Sequence, residues 1–300
     1  MYDVIIIGAG PAGVSAGIYS VSRGKRVLII EKKAVGGLVK NISTVTHYAG
    51  IMSQETGESF SERLKAQAEA AGIDIVYEEV TKVSLTDSTK TVYTENNKYE
   101  GQKVILASGT TPRKLGIPGE AELSGKGVGM NAARDGSKYA GKNVYVVGGA
   151  DGAIKEAIFL SRIAKTVTIV HFEETLGCIA EFKKKVEAAD NIKVRLHSRI
   201  TAVAGSDRVT SLDILDESTG ETQRITDSDV GIFVYAGATP NTELYSELKL
   251  VEGFVPTNDQ METELSGVYA IGDIRLKEVK QISTAVCDGT LAGIAAAKNE

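Results

Sequence analysis

The feature that most constrains this chain is a glycine-rich turn that occurs twice, each time between an apolar strand and a helix. The first copy is residues 3–13, DVIIIGAGPAG, and the second is residues 143–153, NVYVVGGADGA. Glycines in such a turn allow a tight bend, close approach of the backbone to a pyrophosphate and close packing of the helix. Two copies 140 positions apart therefore predict two dinucleotide-binding βαβ units in tandem.

The first copy has the complete set of features. Residues 26–31, RVLIIE, form a second apolar strand that ends in Glu31, 23 positions after Gly8. This is close to the offset of about 20 expected for a carboxylate that accepts the ribose hydroxyls. The intervening helix presents free N–H groups and its positive dipole end to the phosphates. We expect this half of the chain to bind a dinucleotide.

The second copy has lost several of these features. Ala150 stands where backbone must approach the pyrophosphate, and a methyl group there would overpack against a ligand at a cost of about 1–3 kcal/mol. His171 stands at the ribose-reading position in place of an acid, and residues 172–174, FEE, make the surroundings acidic where a 2′-phosphate would lie. We expect NADP to be disfavoured by charge and NAD by shape.

The chain resembles the low-molecular-weight thioredoxin reductases, which are FAD-dependent disulfide reductases, over essentially all of its 300 residues. Besides the first turn, the shared segments are Gly36-Gly37 and residues 46–50 (THYAG), 107–112 (ASGTTP), 237–241 (GATPN), 267–273 (GVYAIGD) and 280–281 (KQ). The resemblance implies an α/β fold class with two Rossmann-like, three-layer dinucleotide-binding domains, the second inserted in the first. The FAD-binding domain would comprise residues 1–112 and 244–300, and residues 113–243 would form a degenerate pyridine-nucleotide-binding-like domain.

The resemblance also implies an FAD site, in which the cofactor carries the chemistry, no protein residue is catalytic and no metal takes part. Its residues would be Gly8, Gly10, Pro11, Ala12, Gly13, Glu31, Lys32, Gly37, His47, Val80, Ala107, Ser108, Gly109, Gly272, Asp273, Lys280, Gln281 and Ile282. Asp273 would contact the ribityl or pyrophosphate region. Gln281 and Ile282 would approach the flavin ring from the start of the last helix, whose positive end would stabilise the anionic reduced flavin. His47 would either hydrogen-bond or relay a proton to the ring, or be a polar group satisfied in its own turn.

The chain departs from the family at the groups that normally transfer electrons. Residues 131–136, NAARDG, stand in place of Cys-x-x-Cys-Asp-Gly, so that Arg134 replaces a cysteine. Without thiols, Asp135 is expected to serve as a turn or helix cap. Arg134 would either pair with an anionic ligand or partner, or extend to solvent. The only cysteines, Cys178 and Cys287, lie 109 positions apart, and we expect small buried or half-buried groups in different domains rather than a redox pair.

The family's arginine clamp for the 2′-phosphate is missing as well. The family pattern His-Arg-Arg-x-x-x-Arg corresponds here to His171, Phe172, Glu173 and Gly177. Losing three charge-assisted hydrogen bonds would remove at least about 4 kcal/mol, around a thousandfold in affinity. Near the expected flavin ring, the family's Gln, Asn and Pro are replaced by Leu38, His47 and Ala49.

Composition narrows the choice of partner. A net charge of −5, a pI near 5.5 and the lack of a basic run argue against nucleic acid. No apolar segment approaches about 18 residues and the first strand begins almost at once, so we expect neither a membrane span nor a secretory signal, and hence a cytoplasmic protein. The resemblance implies a homodimer.

Four functions remain open. The leading hypothesis is an FAD-dependent oxidoreductase that passes electrons between bound FAD and a small redox protein, ferredoxin or flavodoxin, without a redox dithiol and without NADPH. Such chemistry needs only binding, orientation and electrostatic tuning of the flavin by the protein. The alternatives are an NADH-dependent ferredoxin, flavodoxin or flavin reductase, a thioredoxin-disulfide reductase with an unrecognised dithiol, and a non-catalytic flavin-loaded interaction or sensor protein.

Overall fold

The computed structural model describes residues 1–298 and divides into two compact units. Unit 1 combines Met1–Thr111 with the chain from Thr239 onward, and unit 2 is Pro112–Ala238. Unit 2 is therefore inserted in the sequence of unit 1. This confirms the predicted fold class, an α/β chain with one dinucleotide-type unit inserted in another. No helix within residues 1–298 is long and apolar enough to cross a membrane.

Unit 1 is organised around a mixed sheet that begins with the predicted βαβ unit. Its first elements are β1 (Tyr2–Ile7), α1 (Pro11–Val21), β2 (Val27–Ile30), a 3₁₀ helix (Gly37–Asn41), α2 (Gly57–Ala70), β3 (Asp74–Val76), β4 (Val80–Ser84), β5 (Lys90–Thr94) and β6 (Lys98–Leu106). Strands β3, β2, β1 and β6 pair in parallel in that order, and β6 continues into an antiparallel meander with β5 and β4.

The sheet of unit 1 is covered on both faces. Val4 and Ile6 of β1 pack into one apolar cluster with residues of α1 and α2, whereas Ile5 and Ile7 pack into another with residues of β4 and β5. Because successive side chains of a strand point to opposite faces, a strand buried on both sides must be apolar throughout. This explains the uninterrupted run of apolar residues before the first glycine turn, and it produces three layers.

Unit 2 repeats the βαβ arrangement and adds a separate antiparallel sheet. A short strand β7 (Thr110–Pro112) leads in, and the following elements are α3 (Ala132–Asp135), a 3₁₀ helix (Gly136–Tyr139), β8 (Asn143–Val147), α4 (Asp151–Ser161), β9 (Thr166–Val170), α5 (Ala180–Glu187), β10 (Ile192–Arg195), β11 (Ser198–Ala204), β12 (Ser211–Asp216), β13 (Thr222–Thr226), β14 (Gly231–Val234) and β15 (Ala238–Pro240). Strands β10, β9, β8 and β14 form a parallel sheet, β11 to β13 form an antiparallel one, and β15 pairs with β7.

The chain then returns to unit 1 and adds a strand and two helices to it. Strand β16 (Val268–Ala270) pairs with β6, a 3₁₀ helix (Gly272–Ile274) follows, and α6 (Ile282–Ala296) packs along α1. A Cβ on Gly289 would lie 2.2 Å from the Ala12 carbonyl oxygen, and one on Gly293 would lie 2.5 Å from that of Ala16. The two glycines therefore let α6 approach α1 at backbone distance.

Candidate functional site

The glycine turn of unit 1 leaves open space above the start of α1. A Cβ on Gly8 would lie 2.4 Å from the Ala107 carbonyl oxygen, and one on Gly13 would lie 2.0 Å from that of Gly8, so the fold itself requires both glycines. Within residues 1–298, in contrast, a methyl group on Gly10 would meet no atom within 4 Å apart from those of its chain neighbours. Gly10 caps α1 in an extended conformation, and Pro11 takes the first helical position, where a missing N–H costs nothing. The free N–H groups of α1 face this opening.

A buried carboxylate lies beside the same turn. Glu31 directly follows β2, and its two oxygens accept hydrogen bonds from the backbone N–H groups of Ala9 and Lys33, each at 2.9 Å. Each carboxylate oxygen has a second lone pair that can accept from a ligand hydroxyl. Gly37 also reaches this place, since its Cβ would lie 3.4 Å from the Gly10 Cα.

The return strand supplies a third side of the opening. Ala107, which follows β6, donates its N–H to the Ile7 carbonyl oxygen at 2.9 Å. The Ser108 hydroxyl donates to the Asn241 carbonyl oxygen at 3.1 Å and accepts from the Tyr245 hydroxyl at 3.1 Å. Burial raises the pKa of Tyr245 to about 12. These contacts with Asn241 and Tyr245 fix the position of Ser108 and Gly109. The sequence alone did not indicate that these two segments are in contact.

Asp273 is a partly buried carboxylate that the protein leaves unsatisfied. It follows Gly272, and within residues 1–298 no group donates a hydrogen bond to it. Burial raises the pKa of Asp273, an effect that Lys277 and Lys280 partly offset. Buried acceptors are normally paired. Asp273 is therefore equipped to accept from the hydroxyls of a bound ligand.

Sequence analysis missed a second acid nearby, Asp288. This residue is buried in α6, where it accepts from the Gly272 N–H at 3.0 Å, from Arg275 at 2.9 Å and from Lys277 at 2.8 Å. An aspartate in the middle of an apolar helix was the available signal. Because its hydrogen bonds are already made within the protein, Asp288 fixes the loop that presents Asp273.

The remaining predicted site residues of unit 1 are spread over its surface and core. Gln281 precedes α6 and donates its N–H to the Thr284 hydroxyl at 3.1 Å, and Ile282 is the first residue of that helix. The Lys280 ammonium lies 4.1 Å from the centre of the Phe254 ring. The other positions are exposed Lys32, exposed His47 with φ of 58°, and Val80, which packs against the second apolar cluster.

The turn of unit 2 has the same backbone shape but a different lining. Gly148 has φ of 131°, and its Cβ would lie 2.5 Å from the Tyr235 carbonyl oxygen, the counterpart of the Gly8 contact. Ala150 caps α4 with φ −84° and ψ 172°, against −72° and 179° for Gly10 in the first turn. The exposed methyl of Ala150 therefore occupies, in the second turn, the position that Gly10 leaves open in the first. Asp151, the first residue of α4, adds a negative charge to this end of the helix, and its carboxylate accepts from the Ile179 N–H at 2.8 Å.

An imidazole replaces the ribose-binding carboxylate in unit 2. The His171 side chain is 6% exposed and lies against the turn, where a Cβ on Gly149 would be 2.4 Å from its Nε2. Nε2 is 3.1 Å from a Glu173 oxygen, and Nδ1 is buried without a hydrogen-bond partner among the described residues. Phe172 is exposed beneath the Arg199 guanidinium, 4.3 Å from the ring centre. This end of unit 2 thus offers an imidazole, whose Nε2 already pairs with Glu173, in place of the carboxylate that accepts ribose hydroxyls in a dinucleotide site.

Residues 131–136 contain the short helix α3, whose start is closed by side-chain hydrogen bonds. The Asn131 side chain accepts from the Arg134 N–H at 2.9 Å, and the Asp135 carboxylate accepts from the Asn131 N–H at 3.0 Å, from Arg134 at 2.6 Å and from Lys138 at 2.8 Å. Burial alone would raise the pKa of Asp135, but the hydrogen bonds from Arg134 and Lys138 outweigh it and hold the pKa well below its usual range. The predicted role of Asp135 in a turn or helix cap is confirmed, because its carboxylate accepts from the N–H of Asn131, the residue that caps α3.

The two cysteines are free and lie in different units. Cys178 is buried, as predicted, and burial raises the pKa of its thiol. The expectation for Cys287 was wrong, because this residue is exposed. Helix α6 turns its glycine face toward α1, which leaves Cys287 on the outward side. Among residues 1–298, no group of three or more His, Cys, Asp or Glu side chains is placed to hold a metal ion.

Comparison with known proteins agrees with this geometry. The family model described as pyridine nucleotide-disulphide oxidoreductase matches residues 2–289. A thioredoxin reductase of Treponema pallidum is 39% identical over 99% of this chain and 96% of its own length. The crystal structure of Lactococcus lactis thioredoxin reductase has a TM-score of 0.94 at 32% identity and covers 99% of this chain and 98% of its own. A ferredoxin-flavin thioredoxin reductase from Clostridium acetobutylicum matches with a TM-score of 0.54 at 25% identity, over 99% of this chain and 96% of its own.

Proposed function

The chain belongs to the pyridine nucleotide-disulphide oxidoreductase family, and on that premise we propose that it passes electrons between bound FAD and a small redox protein, ferredoxin or flavodoxin, without a redox dithiol and without NADPH. That it is an FAD-dependent oxidoreductase related to the thioredoxin reductases follows from the family. What we propose is the identity of the redox partner, the absence of a redox dithiol and the absence of a role for NADPH.

The opening in unit 1 fits FAD. The Gly10 opening and the start of α1 would receive the pyrophosphate, the free lone pairs of Glu31 the adenosine ribose, and the unsatisfied Asp273 the ribityl chain. Gln281 and Ile282, at the positive end of α6, would face the ring. FAD supplies the redox chemistry when bound, and its full reduction by a one-electron donor takes two donor molecules and one proton.

One observation carries the proposal: two turns of the same backbone conformation differ in what projects into the ligand space. The first presents Gly10 and no acid, whereas the second presents the Ala150 methyl and has Asp151 in the first turn of its helix, where the carboxylate accepts from the Ile179 N–H at 2.8 Å. The methyl would cost about 1–3 kcal/mol against a pyrophosphate. A carboxylate in the first turn of a helix lowers the positive potential that the helix dipole offers to an anionic ligand. We therefore expect unit 2 to bind pyridine nucleotides weakly or not at all.

The absence of a dithiol is supported independently. Cys178 and Cys287 are the only cysteines of the chain, and they lie in separate units. The turn at the position of the family's Cys-x-x-Cys is instead held by the Asp135 ion pairs with Arg134 and Lys138. Electrons would then leave or enter FAD without a thiol carrier. The similarity to a ferredoxin-flavin thioredoxin reductase from Clostridium acetobutylicum supports such a partner.

An anaerobic titration of the FAD-loaded protein tests the proposal. NADH, NADPH, reduced ferredoxin and reduced flavodoxin are added in parallel while the flavin absorbance is followed. We expect bleaching by at least one of the redox proteins and none by NADPH. Rapid bleaching by NADPH, or an unchanged flavin spectrum with both redox proteins, would contradict the proposal.

A matched pair of variants shows whether the lining of the second turn is the cause. Ala150→Gly combined with Asp151→Asn removes the methyl and the charge without changing a buried contact of Gly148. We expect the double variant to gain weak NADH binding, seen by calorimetry. Ala133→Gly lies in α3, outside the second glycine turn, and should gain none. Equal nucleotide binding by the wild type and the double variant would show that the turn does not decide nucleotide affinity.

An NADH-dependent ferredoxin, flavodoxin or flavin reductase is the second candidate. It is favoured by the preserved phosphate-binding shape of the second turn, in which Gly148 keeps its left-handed conformation. Bleaching of the flavin by NADH in the same titration would select it. For either function we expect a homodimer in the cytoplasm.

A further inference from the structure

Unit 2 has a shallow cavity of about 300 Å³ whose rim is rich in cations. Lys126, Lys138, Lys142 and Arg208 line it. Arg134 joins this group through Asp135, which it shares with Lys138. We call these five residues the cationic surface. They come from three separate stretches of the chain and are contiguous only in the folded unit.

Two carboxylates of this region, Asp135 and Asp229, are less exposed than the cations that pair with them. The side chains of Arg134, Lys138 and Arg208 are 68%, 65% and 58% exposed, whereas those of Asp135 and Asp229 are 2% and 17% exposed. Lys142 and Arg208 both pair with Asp229. The outer layer is therefore positive, although it is held from below by acids.

The rest of the cavity adds two features. Lys126 makes no ion pair within residues 1–298, and one carboxylate, Asp207, is exposed at the rim. The floor is apolar, with Met130 and Tyr139 both buried. Burial raises the pKa of Tyr139 to about 12, so the floor carries no charge at neutral pH. An uncharged floor with a positive rim resembles the make-up of a protein interface, in which charge surrounds an apolar centre.

A protein partner fits this arrangement better than a small anion. Asp135 and Asp229 hold the cations apart and already take a hydrogen bond from most of them, so the donors do not converge on one point. A partner with several spaced carboxylates could meet them separately. The chain as a whole has a net charge of −5, and its overall repulsion of acidic proteins would favour their approach through this positive region.

From this geometry we infer that the cationic surface is the docking site for an acidic electron-transfer protein. The inference rests on the proposed function, because it supplies the surface by which such a partner would be recognised. It concerns binding alone, so it can be tested with an oxidised partner, in the absence of any electron transfer.

Charge reversal at Lys126 is the sharpest test, since no internal ion pair is lost. The FAD-loaded Lys126→Glu variant is compared with the wild type and with Lys193→Glu, an exposed lysine of β10 in the same unit. Binding of oxidised acidic ferredoxin and of oxidised flavodoxin is measured by calorimetry at ionic strengths of about 0.01 M and 0.1 M. We expect Lys126→Glu to weaken binding of one of them by about five- to tenfold at the lower ionic strength and by less at the higher one, because salt screens surface charges. Lys193→Glu should change it by less than about twofold.

The outcomes separate the two proposals. Equal weakening by Lys126→Glu and Lys193→Glu, or binding that does not depend on salt, would overturn the docking surface while a bleached flavin in the titration with reduced partner still supports the proposed function. An unbleached flavin with both reduced partners would overturn the proposed function, whatever the binding shows. Tighter binding of a single-stranded RNA oligonucleotide than of either acidic protein, lost in Lys126→Glu, would overturn the docking proposal in favour of a nucleic-acid surface.

Discussion

Replacing Gly10 by alanine separates the needs of the fold from the needs of the ligand. Gly10 has φ −72° and ψ 179°, which alanine adopts without strain, and in the described part of the chain a methyl group there would meet no atom within 4 Å apart from those of its chain neighbours. The apo protein should therefore be unharmed, or gain about 0.4–1 kcal/mol from the smaller entropy of the unfolded chain. A bound pyrophosphate would meet the methyl, and overpacking of about 1–3 kcal/mol corresponds to an FAD affinity about 5- to 150-fold weaker.

Gly152→Ala in α4 is the matched control, since a methyl group there also meets no other protein atom within 4 Å. Apo protein is titrated with FAD by fluorescence quenching, and thermal unfolding is followed without cofactor. We expect Gly10→Ala to lose FAD affinity at an unchanged or higher apo melting temperature, and Gly152→Ala to keep wild-type affinity. Unchanged FAD affinity in Gly10→Ala would refute the placement of the pyrophosphate. An apo protein that is clearly destabilised would refute the open space.

Three further predictions follow from buried or unsatisfied groups. Asp273→Asn should weaken FAD binding about 10- to 150-fold by removing a charged acceptor, yet stabilise the apo protein at neutral pH. The folded-state pKa of this acid is raised, so its charge costs stability above the unfolded pKa. A lower apo melting temperature would contradict this. Asp135→Asn should destabilise the protein by about 1–3 kcal/mol at pH 7 in urea denaturation. Because the folded pKa of Asp135 is depressed, the difference from wild type should shrink as the pH falls below about 4; a difference independent of pH would argue against the ion pairs. Cys178→Ser with Cys287→Ser should leave flavin reduction by the redox protein unchanged, and a lost reaction would reveal a role for these thiols.

Local signals predicted the fold class well. The apolar strand before Gly8 and the turn after it specify β1 and α1, and the same pattern at Gly148 specifies β8 and α4. The sequence indicates these elements because a strand buried on both faces needs a continuous apolar run, and a turn with positive φ needs glycine. Both requirements concern only a few neighbouring residues. The sequence could not predict that Cys287 is exposed, because its exposure depends on which side of α6 packs on α1.

The fine structure of the candidate site was also beyond the sequence. Asp273 and Asp288 are both aspartates near the end of the chain, yet among residues 1–298 three donors satisfy the second and none satisfies the first. The difference arises from Arg275 and Lys277, which the loop after β16 turns toward α6. Only the folded backbone shows which acid retains capacity for a ligand.

The sequence by itself determined that this chain builds two dinucleotide-type units, and it predicts that the second lacks groups that the first retains, because each of those statements concerns residues that lie close together along the chain. The tertiary structure decided that Ala150 and Gly10 point into equivalent spaces and that Lys126 and Arg208, 82 positions apart, form one surface. The physical reason is the range of the interactions. Turns and strand burial are governed by near neighbours in the sequence, whereas open space and clustered charge depend on long-range packing.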